Sequence, residues 1–175
     1  MTKNSKKQGP APAGRWESPE QPLLLALGSF VMAWSLVEST IEVAIGKQLG
    51  VAPLETSIIT AGLQFRSRAA VLLSLLNREP SENATAIRIV KDMQSITDRN
   101  DILHSVIGGH RQTIWFNRRK TDARFTSKIE PYDFKRLTRA ALSCADLATK
   151  LQSELDITNE DYSSFFQTAH NAANN

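Results

Sequence analysis

Leu23, Leu27, Phe30, Trp34, Val37, Ile41 and Ala44 recur at alternating intervals of four and three residues. That spacing returns an apolar side chain to the same side of an α-helix at every turn, so it predicts one long amphipathic helix facing a core. Gly46, Gly50 and Pro53 are expected to end it. The same stripe returns in Ile58, Gly62, Phe65, Ala69, Leu72 and Leu76, which predicts a second helix. Gly62 on that stripe implies close approach of a neighbouring backbone. Asn77 to Pro80 breaks the chain and Ser81 is a suitable N-cap for a third helix. Ile89, Met93, Ile96, Leu103 and Ile107 carry that helix to a stop at Gly108-Gly109. Glu130-Pro131 opens a fourth, with proline at its first position, that runs to about Leu155. Long helices with short connections predict an all-α chain folded as an antiparallel four- or five-helix bundle, without internal repeats.

One stretch departs from helical texture. Thr113 to Phe116 and Ala123 to Ile129 are β-prone, and the polar run Asn117 to Asp122 between them reads as a turn. A short β-hairpin is therefore expected just before the last long helix, leaning on the helices for support. Residues 1–20 are rich in Lys, Pro, Gly and Ala, lack periodicity and read as a disordered tail. The helical domain is expected over residues 21–157. Residues 158–175 read as a polar tail in which Tyr162, Phe165 and Phe166 dock a short final helix.

A chain of 175 residues has room for one domain with a real core. The net charge of +3 does not by itself argue for a nucleic-acid partner, but its distribution is uneven. Nine basic residues fall between Arg111 and Arg139 against three acids. Such a run suits a solvated face or, more sharply, a polyanion site. Cys144, the single cysteine, excludes an internal disulfide and lies on the apolar stripe of the last long helix, where it reads as a small buried hydrophobe. The apolar run Leu23 to Val37 is too short for a membrane span and is followed at once by Glu38 and Glu42. Its leader carries Glu17 and Glu20 and, among its prolines, Pro12, Pro19 and Pro22, unlike a secretory signal. A cytoplasmic protein that does not engage a membrane is the expectation.

The third helix interrupts its own stripe. After Ile89, Met93 and Ile96 the next core position is Asn100, with Arg99 just before it and His104 one turn beyond. A polar triplet at the edge of an apolar seam is costly unless paired. A seam Asn can fix register or oligomeric state while its neighbours form ion pairs. Equally, the three side chains suit chemistry, since a His transfers protons near neutral pH and an Arg fork grips phosphate.

Arg99-Asn100-Asp101-Ile102-Leu103-His104 resembles the Arg-Asn-x-x-x-His signature of the HEPN family. Average residue usage produces that triplet in about one chain per hundred of this size, so the motif is moderately specific. The resemblance implies a helical bundle over residues 21–157 and a homodimer whose motif helices face each other across a cleft. It also implies metal-independent endoribonuclease activity on single-stranded RNA, without a cofactor. In that reading Arg99, Asn100 and His104 are the catalytic residues. His104 takes the ribose 2′-hydroxyl proton or supplies one to the leaving 5′-oxygen. Arg99 holds the scissile phosphate, and Asn100 orients its neighbours or hydrogen-bonds the phosphate. Arg111, Arg118, Arg119, Lys120 and Arg124 form the RNA-binding rim. Toxin or phage-defence roles, with an antitoxin or regulatory protein as a further partner, belong to the same family picture. The tyrosine that many such toxins carry two residues after the His is here Val106, which puts control through that tyrosine in doubt.

Glu38 is a supporting candidate. It interrupts the sevenfold line Leu24, Val31, Glu38, Ile45 on the first helix, either as an edge-exposed carboxylate or as a partner for Arg99 or Arg66. His110 reads as a loop residue. His104, His110, His170 and Cys144 have no metal-ligand spacing, and no Gly-rich phosphate loop follows a strand. The alternative to an enzyme is a catalytically silent, HEPN-like dimeric scaffold or nucleic-acid-binding module.

Overall fold

The computed structural model describes residues 18–96, 98–103, 106–122 and 124–173, and for residues 98, 100, 101, 106, 107, 118–122, 124–128 and 169–173 it describes the backbone alone. The chain is mostly helical with a small three-stranded antiparallel sheet. In order it runs α1 (Gln21–Leu49), α2 (Pro53–Thr60), α3 (Phe65–Leu76), α4 (Ala84–Ser95), α5 (Asp98–Leu103), β1 (Val106–His110), β2 (Thr113–Asp122), β3 (Arg124–Tyr132), α6 (Phe134–Glu154) and α7 (Asn159–Ala173).

α1 is the spine. Its predicted stripe is the buried one: Leu23, Phe30, Trp34, Val37, Ile41 and Ala44 all lie in the core. Against it pack α6, through Leu137, Ala141, Cys144, Ala148 and Leu151, and α3, through Ala69, Leu72 and Leu76. Cys144 is buried and free of any disulfide. α1 ends as expected at Gly50, whose φ of 64° lies in the left-handed region where glycine carries no Cβ penalty. Gly46 does not break the helix. It lets α2 approach, because a Cβ there would lie 2.3 Å from Thr56 Oγ1. By length and composition α1 meets the requirement for a membrane span, so the 29-residue helix is longer than its apolar run suggests. Its core-facing stripe is nevertheless covered by protein.

Several boundaries differ from expectation. The second predicted helix is two, α2 and α3, separated at residues 61–64. Ile58 is 70% exposed and Gly62 has no atom within 4 Å of a Cβ position, so neither belongs to a packed stripe. The third predicted helix also divides. α4 starts at Ala84 with Asn83, not Ser81, at its N-cap, and stops at Ser95 because Ile96 turns to extended backbone with ψ 99°. Two β-branched residues in succession, Ile96 and Thr97, follow a serine whose hydroxyl donates to the Asp92 carbonyl at 2.6 Å, so local propensity opposes continuation. The helix resumes only for the six residues of α5. Ile107 to Gly109, expected to finish a helix, instead form β1, with Ile107 opposite Phe116 and Gly108 opposite Trp115.

The expected hairpin is thus a three-strand meander, ordered β1-β2-β3. Asn117 to Asp122, read as a turn, continue β2, and the reversal falls between Asp122 and Arg124, which are paired. Pro131 lies within β3, opposite Trp115, rather than starting a helix. α6 starts at Phe134 with Asp133 at its N-cap, the carboxylate accepting from the Arg136 N–H at 2.7 Å. Buried Ile114, Phe116 and Tyr132 anchor the base of the sheet, with the Phe116 and Tyr132 rings edge-to-face at 5.1 Å. Arg136 joins sheet to helix, its guanidinium 3.7 Å from the Tyr132 ring centre and donating to the Pro131 carbonyl at 3.0 Å.

Both ends of the described chain are docked. Pro19 packs on Gly109, and the Glu20 N–H donates to the Arg111 carbonyl at 2.8 Å, so residues 18–20 leave the expected tail and dock beside the β1–β2 turn. Residues 1–17 lie outside the described residues. The expected short final helix is the fifteen-residue α7, seated by buried Phe165 and by Tyr162, whose hydroxyl pairs with Thr40 Oγ1 at 2.5 Å and accepts from Gln152 at 2.9 Å. Phe166 remains exposed.

Candidate functional site

Arg99 sits in α5 beneath α1 and the start of α3. Its guanidinium carbon lies 5.2 Å from the Trp34 ring centre and 5.7 Å from that of Phe65, both within cation–π range. Trp34 and Phe65 themselves meet edge-to-face at 4.6 Å, so the arginine rests on a rigid aromatic corner. Arg99 Nη2 is 3.5 Å from Glu38 Oε1 on α1. Of the two partners considered for Glu38, the structure places Arg99 there and sends Arg66 elsewhere. The Arg99 side chain keeps 19% of its surface exposed and Glu38 keeps 29%.

One turn further along α1, Glu42 pairs with Arg68 of α3. Arg68 also donates from Nε to the Leu63 carbonyl at 2.8 Å, closing the α2–α3 connection. Burial pushes the Glu42 carboxyl above its ordinary range, more than Arg68 lowers it, and the neighbouring Glu38 charge adds to the rise. Sequence reasoning did not single out Glu42 and Arg68. The signal that carries them is the i, i+4 spacing of Glu38 and Glu42 on a helix that is otherwise apolar at that level.

A pocket of about 260 Å³ opens beside Arg99. Trp34 of α1 forms one wall, Gln64, Phe65 and Arg66 at the head of α3 another, and Gln94, Ile96 and Arg99 the third. Two guanidinium groups and two amides around so small a volume suit a polar, anionic guest.

Asn100 follows Arg99 in α5; its side chain, and the whole of His104, lie outside the described residues. The strands divide the expected RNA-binding residues. β1 leaves the motif at Val106, opposite Asn117, so Arg118, Arg119, Lys120 and Arg124 lie on the β2–β3 ladder beyond that rung, on the motif's end of the sheet. The register sets Arg118 opposite Lys128 and Lys120 opposite Thr126. Arg111 is at the other end of β1, in the β1–β2 turn with φ 31°, roughly 15 Å along the strand from Val106. By backbone position Arg118, Arg119 and Lys120 follow within three rungs of Val106, whereas Arg124, opposite Asp122, is as far along the ladder from Val106 as Arg111 is in the other direction. His110, paired with Thr113, belongs to β1 and not to a loop. No cluster of three or more His, Cys, Asp or Glu side chains able to hold a metal occurs among the described residues. No family model, curated protein or solved structure matches the chain, so the likeness to the HEPN family rests on the hexapeptide and its setting.

Proposed function

We propose that this chain is a metal-independent endoribonuclease of HEPN type, acting in the cytoplasm on single-stranded RNA as a homodimer, in the manner of a toxin or phage-defence effector. The observation that carries the reading is the setting of Arg99. It is fixed by Glu38 and two aromatic rings yet lines an open pocket, as a group that must meet a phosphate in one geometry should. A guanidinium so held offers its fork to the non-bridging oxygens of the scissile phosphate and stabilises the charge that builds there. His104, five residues on, supplies proton transfer to or from the 2′-hydroxyl and the leaving 5′-oxygen, giving 2′,3′-cyclic phosphate and 5′-hydroxyl ends. Arg118, Arg119, Lys120 and Arg124 on the adjoining ladder would follow the RNA backbone. The same partly buried arginine also favours a second reading, a silent dimeric scaffold in which Arg99 only ties α5 to α1.

Cleavage of single-stranded RNA in EDTA separates the two. His104→Ala is expected to lose about 10²–10⁴-fold in rate while remaining folded. Arg99→Lys should fail as well, since an ammonium keeps the charge but not the planar two-point contact. Wild type and His104→Ala cutting equally would leave the scaffold.

A further inference from the structure

α1 carries two seams. The stripe through Phe30, Trp34 and Val37 is buried, whereas Gln21, Leu25, Gly28, Met32 and Ser35 recur at the same alternating intervals and are all exposed. At about 100° per residue the second line stands roughly 200° from the first, on the opposite side of the helix. No charged residue occurs from Gln21 to Val37. Met32 is 76% exposed and Leu25 63%, with Leu24 and Val31 exposed beside them. Surface helices carry their charges on that side, so an uncharged face of about four turns marks a surface that something covers. Its serines are ready to be covered. The Ser29 hydroxyl donates to the Leu25 carbonyl and that of Ser39 to the Ser35 carbonyl, both at 2.9 Å, so drying the face strands neither.

The line is complementary to itself. Run antiparallel to a second copy about a two-fold axis level with Phe30, it sets Met32 against Gly28 and Leu25 against Ser35, large against small at each level. Gly28 offers a notch, since no atom lies within 4 Å of a Cβ placed there. α6 widens the face. It runs parallel to α1, with Gln152 donating to Thr40 and Lys47 to the Asp156 carbonyl. Exposed Phe134 precedes Gln152 by about five turns, the same interval that separates Pro22 from Thr40, so its ring flanks the line at Pro22. The exposed side of α1 is about 27 Å long and about 15 Å wide. With Phe134 it offers on the order of 500 Å² per copy, and about 1,000 Å² over two copies reaches the lower bound for a specific interface.

A bilayer is the competing occupant, because Lys3, Lys6, Lys7 and Arg15 precede the helix in sequence. The helix itself lacks what a membrane-surface helix carries. No Lys or Arg stands on α1 before Lys47, and Glu38 and Glu42 edge it instead.

We propose that this face of α1 is where a second copy of the chain docks, antiparallel, with Met32 of each copy seated in the Gly28 notch of the other. The inference names the contact surface of the homodimer proposed above and rests on that part of the reading. It moves the contact from the motif helix α5 to α1.

Sedimentation equilibrium of the full-length chain should give twice the 19.4 kDa chain mass, with a dissociation constant in the micromolar range. Met32→Lys and Leu25→Lys each bury a charge twice over in a symmetric contact, so each should raise that constant about 100-fold or more, with helical circular dichroism unchanged. Gly28→Cys mixed with Met32→Cys should join as an oxidised pair, whereas Phe166→Cys, exposed on α7, should not. Cys144 is buried and stays out of the exchange. A 19.4 kDa species at every concentration, a dimer that neither lysine variant weakens, or Phe166→Cys cross-linking as readily as the mixed pair overturns the proposal. Flotation of monomeric chain with phosphatidylcholine–phosphatidylserine vesicles, abolished by Met32→Lys, overturns it in favour of a bilayer. A dimer dispersed by the lysine variants, in a chain whose wild type does not cleave RNA, upholds the face and overturns the ribonuclease. Cleavage by a chain that is monomeric at every concentration does the reverse.

Discussion

Glu42 and Glu38 stand one turn apart on α1, and each faces an arginine from another element, Arg68 from α3 and Arg99 from α5. Their surroundings are opposite. Glu42 and Arg68 are closely joined, about four-fifths buried, and tied further by the bond from Arg68 to the Leu63 carbonyl. Glu38 and Arg99 touch once, at 3.5 Å, and the arginine owes its position as much to the Trp34 and Phe65 rings as to the carboxylate. The first pair has the geometry of a fastener between helices. The second holds a cation at the wall of a pocket. Two ion pairs alike in sequence therefore differ in what their removal should do.

The largest expected effect on stability is that of Arg68→Ala. It leaves Glu42 desolvated without its cation and strips the Leu63 carbonyl of its donor. Fully buried pairs lose about 3–5 kcal/mol on such a change, and the residual exposure here lowers the expectation to about 2–3 kcal/mol. For a chain of this length that is a fall in melting temperature of roughly 4–12 °C, readable by calorimetry. Glu42→Gln should cost less, because the amide oxygen still accepts from Arg68 and the bond from Arg68 to the Leu63 carbonyl remains, although the guanidinium loses its counter-charge. Equal losses from the two variants would mean that the pair is not the asymmetric buried contact drawn here.

Glu42 also gives the comparison a pH signature of intermediate size. Its carboxyl is held above the ordinary range by burial, so the folded chain binds that proton more readily than the unfolded chain does. Stability from this group is therefore greatest in acid and is lost as pH rises through the window between the ordinary carboxylate value, 4.5, and the raised folded one. Glu42→Gln should flatten that segment of the stability–pH curve, whereas Glu38→Gln removes only the smaller contribution that the Glu38 charge makes to it. Denaturant midpoints measured from pH 4 to 7 test this. A wild-type curve that rises through the same window and a Gln variant parallel to it would contradict the assignment.

The helical part of the molecule was legible because burial there follows a 3.6-residue period. The stripe from Leu23 to Ala44 and the stripe through Cys144 are the faces that pack. The region from Ile96 to Tyr132 was not, for two reasons. Leu103 and Ile107 continue the spacing of Met93 and Ile96 by coincidence, and periodicity cannot tell a continuing helix from a short helix followed by a strand. The β1 strand is short and carries Gly108-Gly109, which reads as a helix stop as readily as a place where Trp115 and Pro19 approach closely. In the site, the seven-residue interval on α1 exposed Glu38 as an anomaly, and the arginine it meets could be narrowed to two. The place of Arg66 at a helix start, and the pocket it lines, escaped notice. An arginine near a helix start becomes unusual only once the start is known, and the sequence stripe had run α2 and α3 together.

The smallest effect on stability and the sharpest on the comparison is expected from Glu38→Gln. A single 3.5 Å contact with a carboxylate 29% exposed is worth about 0–1 kcal/mol after solvent screening, so the melting temperature should barely move. Arg99 stays on its aromatic corner but loses the charge that aligns the fork. A misplacement of about 1 Å in a catalytic group costs roughly 100-fold, so a cleavage rate lowered about 10–100-fold is the expected result if Glu38 is a positioning residue. The loss should fall on the rate at saturating RNA rather than on RNA affinity, because the cation remains present. Glu38→Asp retains the charge on a shorter arm and should recover part of the rate. Unchanged cleavage together with an unchanged melting temperature would return Glu38 to the solvent-facing edge of α1. A large fall in melting temperature would show that the second pair is a fastener like the first, and the contrast between Glu38 and Glu42 would dissolve.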